Sequence, residues 1–300
     1  MSTMLWGTRP DGSKVGFNLK VLTYNTHLLP RISEPFASRR GRGDYRARTI
    51  GARVAAFDLV GLCEVFDDRR RQALVEAAEA TGGRYHVVWT KKPPLKGLTN
   101  SGLLLLSRFP VEAHHAITYD HASRFITHGF RADAFAAKGA IHARLRVRDA
   151  PPLGIDCFLT HLDSRSAAAR AGQLRQLSGF IRTHAGGDRM VLLMGDLNVP
   201  ADSSPFATDS SYTQLVASLA ASGLDWVDAW ATAGTGAGGT SDPLADDGGQ
   251  RIDYIWLACG PSLDPNRVLQ HIQVLRYLDG GVPEGSLSDH SGLACKLSDP

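Results

Sequence analysis

Short apolar runs recur along the whole 300-residue chain, and they limit its fold more than any other feature. Leu19–Tyr24, Leu59–Cys63, His86–Trp89, Gly102–Leu106, Ala140–Val147, Ile155–Thr160, Met190–Met194, Ile252–Leu257 and Gly292–Leu297 have the length and residue types of buried strands. Helical patterns lie between several of them. Tyr45–Phe57 follows Asp44, a candidate N-cap, and Arg69–Ala80 carries Leu74 and Ala77–Ala78 on one side. Ala167–His184 spaces Leu174, Leu177 and Ile181 by three and four, and Tyr212–Ala221 ends before Gly223, a natural C-cap. Strands alternate with helices, yet several strands follow one another between residues 86 and 160. That order predicts layered sheets with helices outside. Pro200–Ser211 and Ala231–Gly249, rich in Gly, Ser, Thr and Asp, read as surface loops.

Composition excludes several classes. A hydrophobic fraction of 43% and a charged fraction of 21% are those of an ordinary soluble globular protein. A net charge of +3 is too small to argue nucleic-acid binding on charge alone. The four cysteines, Cys63, Cys157, Cys259 and Cys295, are far apart and sit in apolar runs, which predicts buried thiols; without a CxxC pair, a zinc or thioredoxin-like site is disfavoured. The first residues lack a basic start followed by an apolar stretch, and no apolar run reaches the roughly 18 residues needed to span a bilayer. Neither a secretory signal nor a transmembrane segment is expected, which makes the cytoplasm the default compartment.

Six polar clusters sit against the apolar runs: Leu22–Asn25, Leu62–Asp67, Leu159–Leu162, Met194–Asn198, Arg251–Tyr254 and Ser288–Ser291. Glu64 directly follows a buried run, and such a carboxylate is costly unless paired or bound to a cation. With the neutral oxygen of Asn25 it suits Mg²⁺, which takes a few protein oxygens and keeps several waters. Asp196 and Asn198 lie two apart behind Gly195; in an extended segment both would face one pocket, whereas an Asx turn would use them locally. His161 can contact a phosphate or give a proton to a leaving oxygen. In Asp289-His290 the neighbours point oppositely on a strand, so a distant carboxylate should orient His290, with Asp253 the best candidate unless it pairs with Arg251. Together these groups point to metal-assisted phosphoryl chemistry.

In their order (Asn, Glu, Thr-His-Leu, Gly-Asp-x-Asn, Asp-Tyr, Ser-Asp-His) the clusters resemble the endonuclease/exonuclease/phosphatase superfamily from about Leu19 to Leu297. The resemblance implies an α/β fold, a four-layered α/β sandwich of two face-to-face mixed β-sheets flanked by helices. It implies one catalytic domain over residues 19–300 behind an N-terminal extension, residues 1–18. Three stretches are similar to neutral, bacterial-type sphingomyelinases: Leu19–Asn25 running on to Leu28-Leu29-Pro30, Glu64-Val65-Phe66-Asp67, and Asp133–Gly139 with its Lys138-Gly139. That likeness implies a phospholipase C-type phosphodiesterase acting on sphingomyelin or a related phospholipid. The implied metal ligands are Glu64 and Asn25, with Asp196, Asn198, His290 and Asp289 around one or two ions, Mg²⁺ or Mn²⁺ or Co²⁺ in its place. The implied catalytic groups are His290, Asp253, Asp196, His161 and Asn198, with Lys138, Asn198 and His161 on the substrate.

The likeness has gaps. No disulfide is apparent, and Val268–Ser288, where such sphingomyelinases expose an aromatic hairpin, has only Tyr277. Membrane contact is therefore expected to be weak, differently placed or absent, and peripheral at most. A choline group favours an aromatic wall, for which Tyr119, Phe125, Phe130 and Phe135 are candidates. The rival readings are a DNA or RNA nuclease, because Arg31, Arg39, Arg40, Arg42, Arg46 and Arg48 crowd the segment after the first run, and an inositol or nucleotide phosphatase. A monomer is expected.

Overall fold

The computed structural model describes residues 17–29, 42–91, 100–121, 137–148, 153–201, 211–259 and 264–299. Twelve strands are found there: β1 Asn18–Leu28, β2 Leu59–Val65, β3 His86–Trp89, β4 Leu104–Ser107, β5 Val111–Thr118, β6 Gly139–Arg148, β7 Leu153–His161, β8 Met190–Asp196, β9 Val227–Asp228, β10 Asp253–Ala258, β11 Leu269–Leu275 and β12 Gly292–Ser298. The helices are α1 Gly43–Val54, α2 Asp68–Gly82, α3 Ala167–His184, α4 Ser211–Ala220, α5 Ala229–Ala233 and α6 Pro265–Val268. The strands form two six-stranded sheets, β11-β12-β1-β2-β4-β3 and β5-β6-β7-β8-β10-β9. Each has one parallel pair at its centre, β1 with β2 and β7 with β8, among antiparallel neighbours. Both sheets are therefore mixed.

The apolar runs are continuous because both faces of the central strands are covered. Along β8, Met190, Leu192 and Met194 enter the core between the sheets, while Val191 and Leu193 pack outward with Leu174, Leu177 and Ile181 of α3. Along β1, Leu19 and Val21 face inward, and Leu22 and Tyr24 pack on Ala47, Ile50 and Val54 of α1. Three apolar layers thus hold a helix–sheet–sheet–helix stack. A Cβ on Gly61 would sit 2.8 Å from side-chain atoms of Leu159 and Met194. The two sheets approach that closely near the future site.

Several boundaries differ from the sequence reading. Asp44 is not the N-cap of α1; Arg42 holds that position without a side-chain capping bond, and Asp44 lies in the first turn, where its charge suits the helix dipole. Edge strands β5 and β11, with their exposed and half-buried patterns, and the two-residue β9 lack a continuous apolar run. Part of Ala231–Gly249 belongs to α5, and Thr240 within it is fully buried. The cysteines are free, with Cys63, Cys157 and Cys295 buried and Cys259 partly so. No helix among the described residues is long and apolar enough to cross a membrane.

Candidate active site

Strand direction explains why six distant clusters meet. Asn25, Glu64, His161 and Asp196 stand at or near the carboxyl ends of β1, β2, β7 and β8. Asp253 opens β10 instead of closing a strand. Because β10 runs antiparallel to β8, its first residue pairs with the last one there, Asp253 with Asp196. His161 pairs with Asp196 on the other side, and Gly139 pairs with His161, which brings Lys138 alongside. The Ser288–Ser291 loop likewise precedes its strand, β12.

The two sheets touch through polar atoms here. The Asn25 amide nitrogen lies 3.0 Å from Asp196 Oδ2 and 3.2 Å from Glu64 Oε1. His161 Nε2 lies 3.5 Å from Asp196 Oδ2 and 3.9 Å from Glu64 Oε1, and Lys138 Nζ is 2.8 Å from the same imidazole nitrogen. His290 Nδ1 meets Asp253 Oδ2 at 2.8 Å, and its Nε2 is 3.7 Å from Asp196 Oδ2. Ligand atoms of Asp196, Asp253 and His290 all lie within 4.8 Å of one another. Arg251 pairs with Asp228 at 2.8 Å, so it is not the partner of Asp253.

The backbone is strained at this spot. His27, Glu64 and Asn198 hold φ of 49°, 62° and 50°, and they are three of the four non-glycine residues with positive φ among those described. Such residues persist where the surroundings over-determine them, often at functional sites. Gly195 has φ 138°, and a Cβ there would lie 1.9 Å from the Thr160 carbonyl oxygen, so only glycine lets β8 deliver Asp196 beside β7.

The electrostatics show an unmet negative charge. Burial first, and then the facing carboxylate of Asp253, push Asp196 up from 3.8 to about 7. Burial alone would lower His290, but Asp253 and Asp196 outweigh it and hold the imidazole well above its ordinary value. One oxygen of the fully buried Asp253, Oδ1, has no hydrogen-bond partner. Converging carboxylate oxygens and the orphaned Oδ1 of the buried Asp253 fit a hard divalent cation. Glu64, Asp196 and Asp253 could supply its oxygens.

Three site candidates are placed differently from expectation. Asn25 turns its amide nitrogen to the carboxylates, while its Oδ1 accepts from the His27 N–H at 3.1 Å. Asn198 does not face a shared pocket two residues beyond Asp196: β8 ends at Asp196, the left-handed turn follows, and the Asn198 amide nitrogen donates to the Leu162 carbonyl at 3.0 Å while its backbone N–H closes an Asx turn on Asp196 Oδ1. Asp289 directs Oδ2 to His27 Nδ1 at 3.0 Å, with its side chain 47% exposed, and is not one of the close-set three.

Sequence reasoning missed the groups that hold the site together. Arg46, one of the arginines that crowd the segment after the first run, is buried and donates to the carbonyls of Thr26, His27 and Leu287, pinning the end of β1 to the loop that carries His290. Ser288 Oγ donates to the Asn25 carbonyl at 2.7 Å. Thr240 Oγ1 accepts from the Ile252 and Asp253 N–H groups, and its carbonyl accepts from Ser291. Tyr119 is buried, its hydroxyl 2.7 Å from Thr160 Oγ1, and Tyr277 packs edge-on to Tyr24, so neither is an exposed wall or anchor. Phe125, Phe130, Phe135, Arg31, Arg39 and Arg40 lie outside the described residues.

This two-sheet sandwich, with carboxylates and imidazoles gathered where the strand ends meet, defines a class of phosphoester-cleaving folds. The chain belongs to the Endonuclease/Exonuclease/phosphatase family, whose pattern it matches over residues 22–290. Members of that family are hydrolases acting on phosphoesters and generally use a divalent metal. No curated protein sequence matches the chain significantly. Among solved structures, a beta toxin of Staphylococcus aureus is 18% identical, covering 92% of this chain and 99% of its own with a TM-score of 0.70. Sphingomyelinase C of Streptomyces griseocarneus is 22% identical over 94% of this chain and 99% of its own, with a TM-score of 0.67. A humanized D. rerio TDP2 is 19% identical over 93% and 98%, with a TM-score of 0.60. A mutant beta toxin of Staphylococcus aureus, 17% identical over 93% and 99% with a TM-score of 0.67, carries bound magnesium ions.

Proposed function

We propose that this protein is a Mg²⁺-dependent phosphodiesterase that cleaves sphingomyelin or a related phospholipid in the manner of a phospholipase C, by in-line attack of water. The observation that carries this reading is the 2.8 Å contact between His290 Nδ1 and the buried Asp253 beside Asp196. Asp253 fixes the tautomer with the proton on Nδ1, and leaves Nε2 to accept a proton from water. Glu64, Asp196 and the unpartnered Oδ1 of Asp253 would hold the cation, with Asn25 beside them, and the ion would neutralise phosphate charge and steady the leaving alkoxide. As a ligand, Asn25 would turn its amide to present oxygen. Lys138, in contact with His161, keeps positive charge next to that imidazole, where His161 can donate to a phosphate oxygen or protonate the leaving group. Asp289 and Asn198 remain candidates for a second ion only if their side chains leave His27 and Leu162.

The sphingomyelinase reading is supported by Glu64-Val65-Phe66-Asp67, by Lys138-Gly139, and by the sphingomyelinase among the similar structures. The burial of Arg46 removes one of the arginines that favoured a nuclease. The test is a panel of sphingomyelin, lysophospholipid, duplex DNA and inositol phosphates assayed with Mg²⁺. The expected product is phosphocholine from sphingomyelin, stopped by EDTA. Preferential cleavage of DNA would move the protein to the nuclease reading, and no ester cleavage at all would end the enzyme reading.

A further inference from the structure

On the outer face of the second sheet, away from the strand ends just described, three imidazoles meet. His115 of β5 and His142 of β6 are directly paired across the two strands, so they share a face. His184, the last residue of α3, covers them: the His115–His184, His142–His184 and His115–His142 ring centroids are 4.2, 5.2 and 5.8 Å apart. One ligand nitrogen from each lies within 4.8 Å of the others. His142 stacks on Phe158 at 4.8 Å and His184 meets Phe180 edge-on at 4.8 Å, but this packing leaves the polar nitrogens of the group to be explained. His142 is 1% exposed, and its Nδ1 is buried without a hydrogen-bond partner. Its Nε2 is 2.9 Å from the fully buried Asp156, which is itself held by Arg144 at 3.0 Å and by the Gly186 N–H at 2.8 Å. A carboxylate that takes one imidazole N–H leaves the other nitrogen as a bare, aligned lone pair, the arrangement that metal-binding histidines share.

We infer that His115, His142 and His184 form a second metal site, which takes a zinc-like transition-metal ion with Asp156 orienting His142. Imidazole nitrogen suits Zn²⁺, Cu²⁺ and Ni²⁺ and not Mg²⁺, so this site and the carboxylate cluster select different ions. The geometry requires one movement. A tetrahedral ion with Zn–N bonds of about 2.0–2.1 Å holds its nitrogens about 3.3 Å apart. The three rings are stacked within 20° of parallel, so the rings of His115 and His184 must turn toward Nδ1 of His142. Both are more exposed than His142, which leaves them free to do so. Two further features favour a cation here. The ion would sit at the C-terminal end of an 18-residue helix, where the dipole is negative. A groove of about 560 Å³, lined by Ile117, Gln176, Phe180, Thr183 and His184 among others, opens onto His184 and gives an entry path. An ion at this point would tie the exposed edge strand β5 to α3.

The test is calorimetric titration of Zn²⁺ into the protein with Mg²⁺ in excess, compared with the double variant H115A/H184A. The wild type should bind one equivalent of Zn²⁺ more than the variant, with phosphoesterase turnover in Mg²⁺ unchanged between them. Equal stoichiometry and affinity would overturn the proposal. A second reading needs no variant: Co²⁺ added to the wild type with Mg²⁺ in excess should give the intense visible bands of a four-coordinate ion and shift the imidazole NMR signals of His142 and His184. Only the weak bands of six-coordinate Co²⁺, with both signals unmoved, would equally overturn it.

Discussion

Asp196→Asn should make the metal-free protein more stable at pH 8 while abolishing its turnover. The folded protein raises Asp196 from 3.8 to about 7, mainly by burial and then by the charge of Asp253. Between those values the folded state holds a proton that the unfolded chain has released. Stability therefore falls as pH rises from about 4 to about 7, and the penalty is complete above that window. At about 1.4 kcal/mol per unit, the penalty approaches about 4 kcal/mol at pH 8. Asparagine removes the charge but gives back one contact. Asp196 accepts from the Asn25 amide nitrogen and from the Asn198 N–H, both at 3.0 Å, and a carboxamide can accept only one of these on its oxygen while its own N–H₂ faces the other donor. A lost buried hydrogen bond costs about 1–2 kcal/mol, leaving a net gain of about 2–3 kcal/mol. For a domain of this size that is a rise in Tm of about 4–8 °C. The assay is thermal unfolding in EDTA at pH 5 and pH 8. The variant's advantage should be small at pH 5 and full at pH 8, and saturating Mg²⁺ should shrink it by stabilising only the wild type. A variant that melts below the wild type at pH 8, or a difference that does not change with pH, would refute the view that this cluster carries an unmet negative charge.

Three other outcomes follow from the same geometry. Asp253→Asn should lower kcat by about 10²–10⁴-fold, and because Asp253 helps to hold His290 well above its ordinary value, the acid limb of the pH–rate profile should move to lower pH; an unmoved limb would remove His290 as the base. Glu64→Gln should weaken Mg²⁺ binding by about 10-fold or more in calorimetry, and wild-type affinity should climb as pH rises through about 7, since binding must displace the Asp196 proton; a pH-independent affinity would place the ion elsewhere. Arg46→Met should cost about 2–4 kcal/mol in urea unfolding by leaving the carbonyls of Thr26, His27 and Leu287 without their donor; a loss under about 0.5 kcal/mol would deny it the clasp between β1 and the His290 loop.

The sandwich was legible because its inner strands are covered on both faces: β1, β2, β7, β8 and β10 spell themselves out as unbroken apolar runs. Strand β5 was not, since an edge strand with one open face needs no such run. The pairing of His290 with Asp253 was reached from a strand geometry that Asp289-His290 do not have, since both lie in the loop before β12. For Asn198 the sequence left an extended segment and an Asx turn open; the structure takes the turn, through two positive φ values that depend on how closely β8 approaches β7. Arg46 and Thr240 were hidden for a different reason. Each works through backbone atoms of segments far away in sequence, and nothing in the composition of a basic helix or of a Gly/Ser/Thr-rich loop tells a buried clasp from a solvated side chain.

The measurement that bears most directly on the account is the anomalous diffraction of Mn²⁺ in crystals of the protein. A peak in contact with the carboxylates of Glu64 and Asp196, absent from Glu64→Gln crystals, is the predicted result. Full phosphoesterase turnover in protein whose only manganese lies away from those two carboxylates would contradict it.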